Sequence, residues 1–215
     1  MMKNSLFIFC VIVGIVSCSK NKGQSEELGK SFDNEVYVVC ISHILEDQNI
    51  VRTENFKMFS VLNELKSNYG VSIKPANFDE EFLDLIADDS TWLDFFALIQ
   101  TENILEGKSE SDINEKNFDF SKIKIPNYEN EVIVKSDFET RVKVDSRKYW
   151  KGYYEKYPNS FGVIRLTDVL YSKEKNKAMV IVEYYRGDLD AAGMIYFIQK
   201  DNGWHIKLLK KGWVA

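Results

Sequence analysis

Phe161-Gly-Val-Ile-Arg-Leu-Thr-Asp-Val-Leu-Tyr171, Ala178-Met-Val-Ile-Val-Glu-Tyr-Tyr-Arg186, Met194-Ile-Tyr-Phe-Ile-Gln-Lys200 and Trp204-His-Ile-Lys-Leu-Leu-Lys-Lys-Gly-Trp213 are four runs rich in β-branched and aromatic residues. Such residues fit a pleated, half-buried surface, so each run predicts a strand. The runs are separated by Ser172–Lys177, by Gly187–Gly193 and by Asp201-Asn202-Gly203. Asn-Gly between two apolar runs is a strong hairpin signal. Connections this short force antiparallel neighbours, because a parallel return needs a dozen or more residues. The last third therefore predicts a four-stranded antiparallel meander.

What precedes it has a helical period. Val36, Val39, Cys40, His43 and Ile44 fall on one face of a helix over residues 34–46. Thr53–Tyr69 reads as a second helix, with Phe56, Phe59, Leu62 and Leu65 as its stripe and Gly70 as its stop. Asp79–Ala87 predicts a short helix with Phe82, Leu85 and Ile86 inward. Asp89-Ser-Thr91 caps another that carries Trp92, Phe95, Phe96 and Ile99. The pattern lapses over 101–118, where Gly107–Asp112 predicts an exposed loop, and 119–145 suggests only short extended pieces around Pro126. Ser146–Tyr157 is helical again, with Tyr149, Trp150, Tyr153 and Tyr157 on one side and Pro158 ending it. The fold class is α+β: N-terminal helices packed on the C-terminal meander, in one domain spanning residues 31–215.

The formal charge is -5, with no basic block, which makes nucleic acid and anionic lipid poor partners. Aromatics make up 13% of the chain, enough to hold a core by burial alone. The N-terminus carries an address. After Lys3, residues Leu6–Val16 run uncharged for 11 residues, the pattern of a secretory signal and about half the ~20 needed to span a bilayer. Ile15-Val16-Ser17-Cys18 resembles the lipobox of bacterial lipoproteins. That resemblance implies removal of residues 1–17, lipid on Cys18, and a flexible tether over residues 18–30. More than one acyl chain is needed for stable anchoring, and a lipidated, acylated cysteine supplies it. Ser19 beside the cysteine, with no aspartate there, resembles lipoproteins sorted to an outer membrane. Ser17-Cys18-Ser19 also satisfies the small-x-small rule for ordinary cleavage, which would release the chain instead.

Trp150-x-x-Tyr-Tyr-x-x-Tyr-Pro-Asn-Ser160-x-Gly162, followed by Asn176-Lys-Ala178-x-Val-x-Val, Gly193 and Trp204, resembles a group of uncharacterised bacterial envelope proteins over residues 146–215. Those motifs are structural, and the group implies no activity. The match departs at Val169-Leu-Tyr171, where members often carry Gly-Phe-Asn.

Few residues suggest chemistry. Cys40 and His43, at i and i+3, are spaced for a nucleophile and its base. Both also lie on an apolar stripe, where cysteine packs as a small hydrophobe. If Cys10 leaves with the signal and Cys18 carries lipid, Cys40 is the remaining thiol and no internal disulfide forms. With only His43 and His205 in the chain and no paired-ligand spacing, no metal site and no cofactor are expected. His205, in the last strand, reads as a surface residue. Asp188 and Asp190 sit in a turn and suggest an acid pair or a weak calcium loop, though Asp and Gly are also turn formers. Arg147-Lys-Tyr-Trp-Lys-Gly-Tyr-Tyr154 has the composition of a stacking platform, yet its helical spacing favours burial of the rings. No phosphate-loop, dinucleotide or nucleophile-elbow motif is present. The expectation is a membrane-anchored envelope lipoprotein facing the periplasm, with a non-enzymatic module that binds a protein or small-molecule partner. The alternative is a tethered periplasmic hydrolase whose catalytic groups are scattered in sequence.

Overall fold

The four predicted strands are present and pair antiparallel in the predicted sequence, but they belong to a larger sheet. The structure, a computed structural model, describes residues 22–47, 55–65, 79–104 and 118–214, with side chains for 33–47, 55–65, 79–100 and 118–214. Its elements are α1 (Lys22–Glu46), β1 (Met58–Leu62), α2 (Glu80–Asp88), α3 (Thr91–Ile104), a 3-10 turn at Phe120–Lys122, β2 (Glu129–Ile133), α4 (Lys135–Lys156), β3 (Ser160–Leu166), β4 (Leu170–Tyr171), β5 (Lys177–Gly187), β6 (Asp190–Lys200) and β7 (Trp204–Val214). The sheet runs β2-β1-β3-β5-β6-β7, with the two-residue β4 also pairing β5. Among the described residues it has seven strands and mixed direction: β1 is parallel to both β2 and β3, and the rest is antiparallel. The α+β class holds. The strand count does not.

The largest correction is β1. Over its described part, the expected helix at Thr53–Tyr69 is instead a strand between β2 and β3. Phe59 and Val61 face one side of the sheet, while Ser60 and Leu62 face the other, and all four are buried. A strand covered on both faces has no polar side to expose, so its apolar run loses the two-residue alternation. The spacing of Phe56, Phe59 and Leu62 then imitates a helix.

The two faces have different covers. Val36, Tyr37, Cys40, Ile41 and Ile44 of α1 pack with Phe161, Ile164, Val180, Val182, Met194 and Tyr196 on one. On the other, Trp92, Phe95, Phe96 and Ile99 of α3, with Phe82 and Leu85 of α2, pack on Met179, Phe197 and Leu208. Farther along that second face, Phe138, Trp150 and Tyr153 of α4 cover Leu62 and Val163. The predicted stripes of α2 and α3 turn inward, whereas in α1 the buried face is Val36, Tyr37, Cys40, Ile41, Ile44 and Leu45, and Val39 and His43 lie at its half-buried border. Their ends follow local chemistry. The Asp79 carboxylate accepts from the Phe82 amide at 3.3 Å to cap α2, and Asp89 accepts from both the amide and the hydroxyl of Thr91 to start α3.

Three boundaries differ from expectation. α1 begins at Lys22, inside the stretch assigned to a flexible tether, because helix once nucleated on a packed segment propagates cheaply through Ser25-Glu-Glu-Leu28. The Gly187–Gly193 loop shrinks to a turn at Asp188-Leu189, and Ala191, Ala192 and Gly193 enter β6. The helix expected at Ser146 is the second arm of α4, which starts at Lys135 and breaks at Asp145. Residues 1–17, Cys18 and the loop at Gly107–Asp112 lie outside the described residues.

Candidate functional site

α4 is two helical arms joined by one extended residue. Asp145 has φ −157° and ψ 91°, and its carboxylate accepts from the Lys148 amide at 3.0 Å, capping the second arm. The bend is held from outside by the β5–β6 turn. Asp188 accepts a hydrogen bond from the Ser146 hydroxyl and pairs with Arg147 at 3.7 Å. Phe138 of the first arm meets Tyr149 and Trp150 of the second with ring centres 5.4 and 6.2 Å apart, which fixes the angle between the arms.

Between the two arms and β2 lies a cavity of about 650 Å³. Among the described residues β2 is the last strand of the sheet, so this cavity opens along the sheet's border. Its apolar lining includes Val132, Ile133, Val134 and Val144, together with Tyr149, Tyr153 and Tyr157 in one helical row. The rings of Tyr149 and Tyr153 lie nearly parallel, 25° apart, at 6.0 Å. Val134 and Val144 are 52% and 81% exposed, unusual for valines that flank a hydrophobic cluster.

Charged groups ring the cavity in a specific way. Its three carboxylates already have donors: Glu131 accepts from the Tyr157 hydroxyl at 2.8 Å, Asp137 from Arg141 at 2.8 Å, and Asp145 from the Lys148 amide. Lys148 and Lys156 line the same wall, and neither has a carboxylate within 4.0 Å among the described residues. The Lys156 ammonium lies over the Tyr157 ring at 4.6 Å. Burial raises the pKa of the Tyr149 phenol, so that group remains a protonated donor.

Gly152 sits in the second arm among these residues. A Cβ at this position would meet nothing within 4 Å. Glycine inside a helix costs roughly 1 kcal/mol relative to alanine, and elsewhere that cost is offset by close backbone packing. Here no neighbour requires it. Contrast Gly162, at φ 130°, where a Cβ would lie 2.4 Å from the Tyr185 carbonyl oxygen, or Gly193, where it would strike the Trp213 indole. Gly152 keeps the helix surface bare where it faces the cavity.

Beneath the cavity, Tyr153 joins two strands, β1 and β3, and the helix into one buried polar cluster. Its hydroxyl donates to the Gly162 carbonyl at 3.0 Å and lies 2.8 and 2.6 Å from the hydroxyls of Ser60 and Ser160. Ser160 also accepts from the Gly162 amide at 3.2 Å. With the phenol proton directed to a carbonyl, both serines are left to donate to its oxygen, and the arrangement is satisfied. Burial pushes the Tyr153 pKa up to about 12. The cluster contains no histidine or carboxylate to draw a proton from either serine. It is a rivet, and it sets the second arm on the sheet.

The residues singled out from the sequence are dispersed. Cys40 is wholly buried in the α1 core, and burial raises its thiol pKa well above the ordinary range. The hydrogen-bonding neighbour of the His43 ring is the Tyr196 hydroxyl, 3.3 Å from Nδ1, on the strand below. His205 is partly exposed beside Asp201, 3.4 Å away, at the start of β7. Asp188 holds the α4 bend, and Asp190 pairs with Arg186 at 2.7 Å. The two carboxylates thus serve different partners rather than one another. Of the Arg147–Tyr154 stretch, Trp150 and Tyr153 are buried as the spacing implied, while Lys148, Tyr149 and Gly152 face the cavity. Sequence reasoning missed the groove itself. Its one readable trace was a glycine inside an otherwise helical pattern.

Among the described residues, no three His, Cys, Asp or Glu side chains are grouped to hold a metal ion, and no helix is long and apolar enough to cross a membrane. No protein-family model matches the chain, nor does any curated protein or solved structure.

Proposed function

We propose that this chain is a bacterial envelope lipoprotein, anchored through lipid on Cys18 to the outer membrane and facing the periplasm, whose folded domain is a non-enzymatic binding module. Its ligand seats in the groove between α4 and β2. The observation that carries the binding role is Gly152. A helix accepts the cost of an interior glycine, no side chain needs the space, and the space opens onto a cavity of about 650 Å³ with an aromatic wall. Convergent polar groups on a mostly apolar lining are what a ligand site requires. The anchor rests on the charge, apolar length and cysteine position of residues 1–18.

The two halves separate experimentally. Wild-type protein partitions into the detergent phase and labels with a fatty-acid analogue, and Cys18→Ala loses both; an aqueous wild type would instead fit ordinary secretion. For the groove, the probe is anilinonaphthalene sulfonate, an anionic aromatic dye. Its fluorescence rises on the folded protein and less on Gly152→Trp, whose indole intrudes into the cavity from the α4 wall. Equal dye binding by both proteins would remove the groove from the account.

A further inference from the structure

The groove and the start of α1 lie on opposite sides of the domain. α1 covers the face of the sheet opposite α4 and crosses it from one side to the other. At its C-terminal end the Leu45 carbonyl accepts from the Tyr128 hydroxyl at 3.3 Å, one residue before β2. Toward its N-terminal end Tyr171 of β4 donates to Asp33 at 2.9 Å, and Glu35 pairs at 3.6 Å with Lys200, beside the β6–β7 turn. The groove lies against β2 on the other face, and the α4 bend that forms one of its walls is held at the β5–β6 turn. Antiparallel β6 joins these two turns, so they stand at opposite ends of the sheet. Face, side and end are therefore all reversed between the groove and the point where α1 leaves the sheet.

α1 runs on from Asp33 back to Lys22, about 16 Å farther along its axis. By helical rise alone, Lys22 is about 35 Å from Leu45. Cys18 is four residues before Lys22. Whatever path those residues take, they reach no more than about 14 Å, so Cys18 stays at least about 20 Å from Leu45 and the neighbouring start of β2.

We infer that α1 is a stalk that stands the domain on the membrane with the β6–β7 turn inward and the groove turned away, so that the groove takes a solute from the periplasm and not a lipid from the bilayer that holds it. This rests on the lipid anchor at Cys18 and on the groove being the ligand site. A lipid is the occupant to exclude, because Val132, Val134 and Val144 would suit an acyl chain. From this position an acyl chain would have to leave the hydrocarbon and expose its methylenes to water before it met those valines. A solute already in water reaches the groove without that step.

The test uses the mature lipidated protein in phospholipid vesicles that carry an acceptor dye on their headgroups. A donor dye is placed on Asn202→Cys, in the β6–β7 turn, or on Val144→Cys, at the groove; Cys40 is buried and takes no label. β6 alone puts about 34 Å between the two ends of the sheet, so the donor at 202 is quenched at least about twofold more than the donor at 144. Gly29→Pro interrupts α1 ahead of Val36 and the other core side chains, lets the domain tumble, and brings the two efficiencies together. Equal quenching at the two sites in the unbroken helix overturns the proposal, as does stronger quenching at 144. A difference that survives Gly29→Pro also overturns it, because the stalk would then not set the orientation. Failure of the protein to enter the vesicles, or entry that Cys18→Ala retains, refutes the anchor and the stalk with it. Dye binding that ignores Gly152→Trp refutes the groove, and with it the claim on its ligand, whatever the quenching shows.

Discussion

Replacing Gly152 by alanine isolates the reason for the glycine. If the residue were needed for close packing, an added Cβ would collide and destabilise the fold. The structure gives that Cβ nothing within 4 Å, and the residue lies in the interior of the second arm of α4. The change therefore removes the unfolded-state entropy of glycine and adds a good helix former, with no steric cost. The expected gain is about 0.8–1 kcal/mol in urea unfolding at 25 °C, with an unchanged m-value. For a chain of this size, that corresponds to a rise of about 2–4 °C in melting temperature. Alanine adds one methyl group and leaves the groove nearly open, so dye binding survives. Gly152→Trp keeps the same helix but puts an indole into the cavity, so it weakens dye binding without losing the fold. A destabilisation of 1 kcal/mol or more by alanine would refute the reasoning, because it would mean that the glycine serves packing.

Other consequences follow from buried and paired groups. Cys40 is buried and its thiol pKa is raised, so native protein reacts slowly with a thiol reagent and denaturant accelerates the reaction greatly; Cys40→Ser costs roughly 1–3 kcal/mol by unfolding. Asp89 is held down to about 2 by hydrogen bonds from Thr91 and from Lys177, which lies 2.9 Å away and is itself buried. Because the folded pKa lies below the unfolded value, this contribution is present above pH 4 and lost as pH falls from about 4 to 2; allowing for exposure, it amounts to about 1 kcal/mol. Asp89→Asn therefore flattens the acid limb of a stability-versus-pH curve over that window, and an unchanged limb would contradict the assignment. Tyr153→Phe leaves the Gly162 carbonyl and two serine hydroxyls without their shared partner and costs roughly 1–3 kcal/mol in the same unfolding assay.

How much of this was readable in sequence depended on whether an element had a polar side or short turn signals at its ends. The stripes of α2 and α3 were legible because one side of each meets solvent, whereas β5 and β6, buried on both faces, were legible from their β-branched and aromatic composition and from the turn residues at Gly187-Asp-Leu189 and Asp201-Asn-Gly203. β1 was not, because Phe59, Ser60, Val61 and Leu62 are all buried and, unlike β5 and β6, no short turn signal joins the run to a neighbouring one. β2 was illegible for the opposite reason. As a short strand, the last of the sheet among the described residues, it keeps Glu129, Asn130 and Glu131, and Asn130 spends its amide on the carbonyls of Phe120 and Ile123 rather than on the sheet. The groove depends on both of these strands and on the bend at Asp145, so its walls come from segments that local pattern does not connect. Gly152 and the row Tyr149, Tyr153, Tyr157 were visible as residues; that a cavity stands above them follows only from the sheet edge beside them.

The account stands most directly on where a ligand sits. The measurement is amide chemical-shift mapping of the ¹⁵N-labelled mature protein during titration with anilinonaphthalene sulfonate. The account predicts perturbations concentrated at Val132, Val134, Tyr149, Gly152 and Lys156, and weaker in the same titration of Gly152→Trp. Perturbations centred instead on the α1 core around Cys40 and His43, or on the Asp201–His205 end of β7, would contradict it.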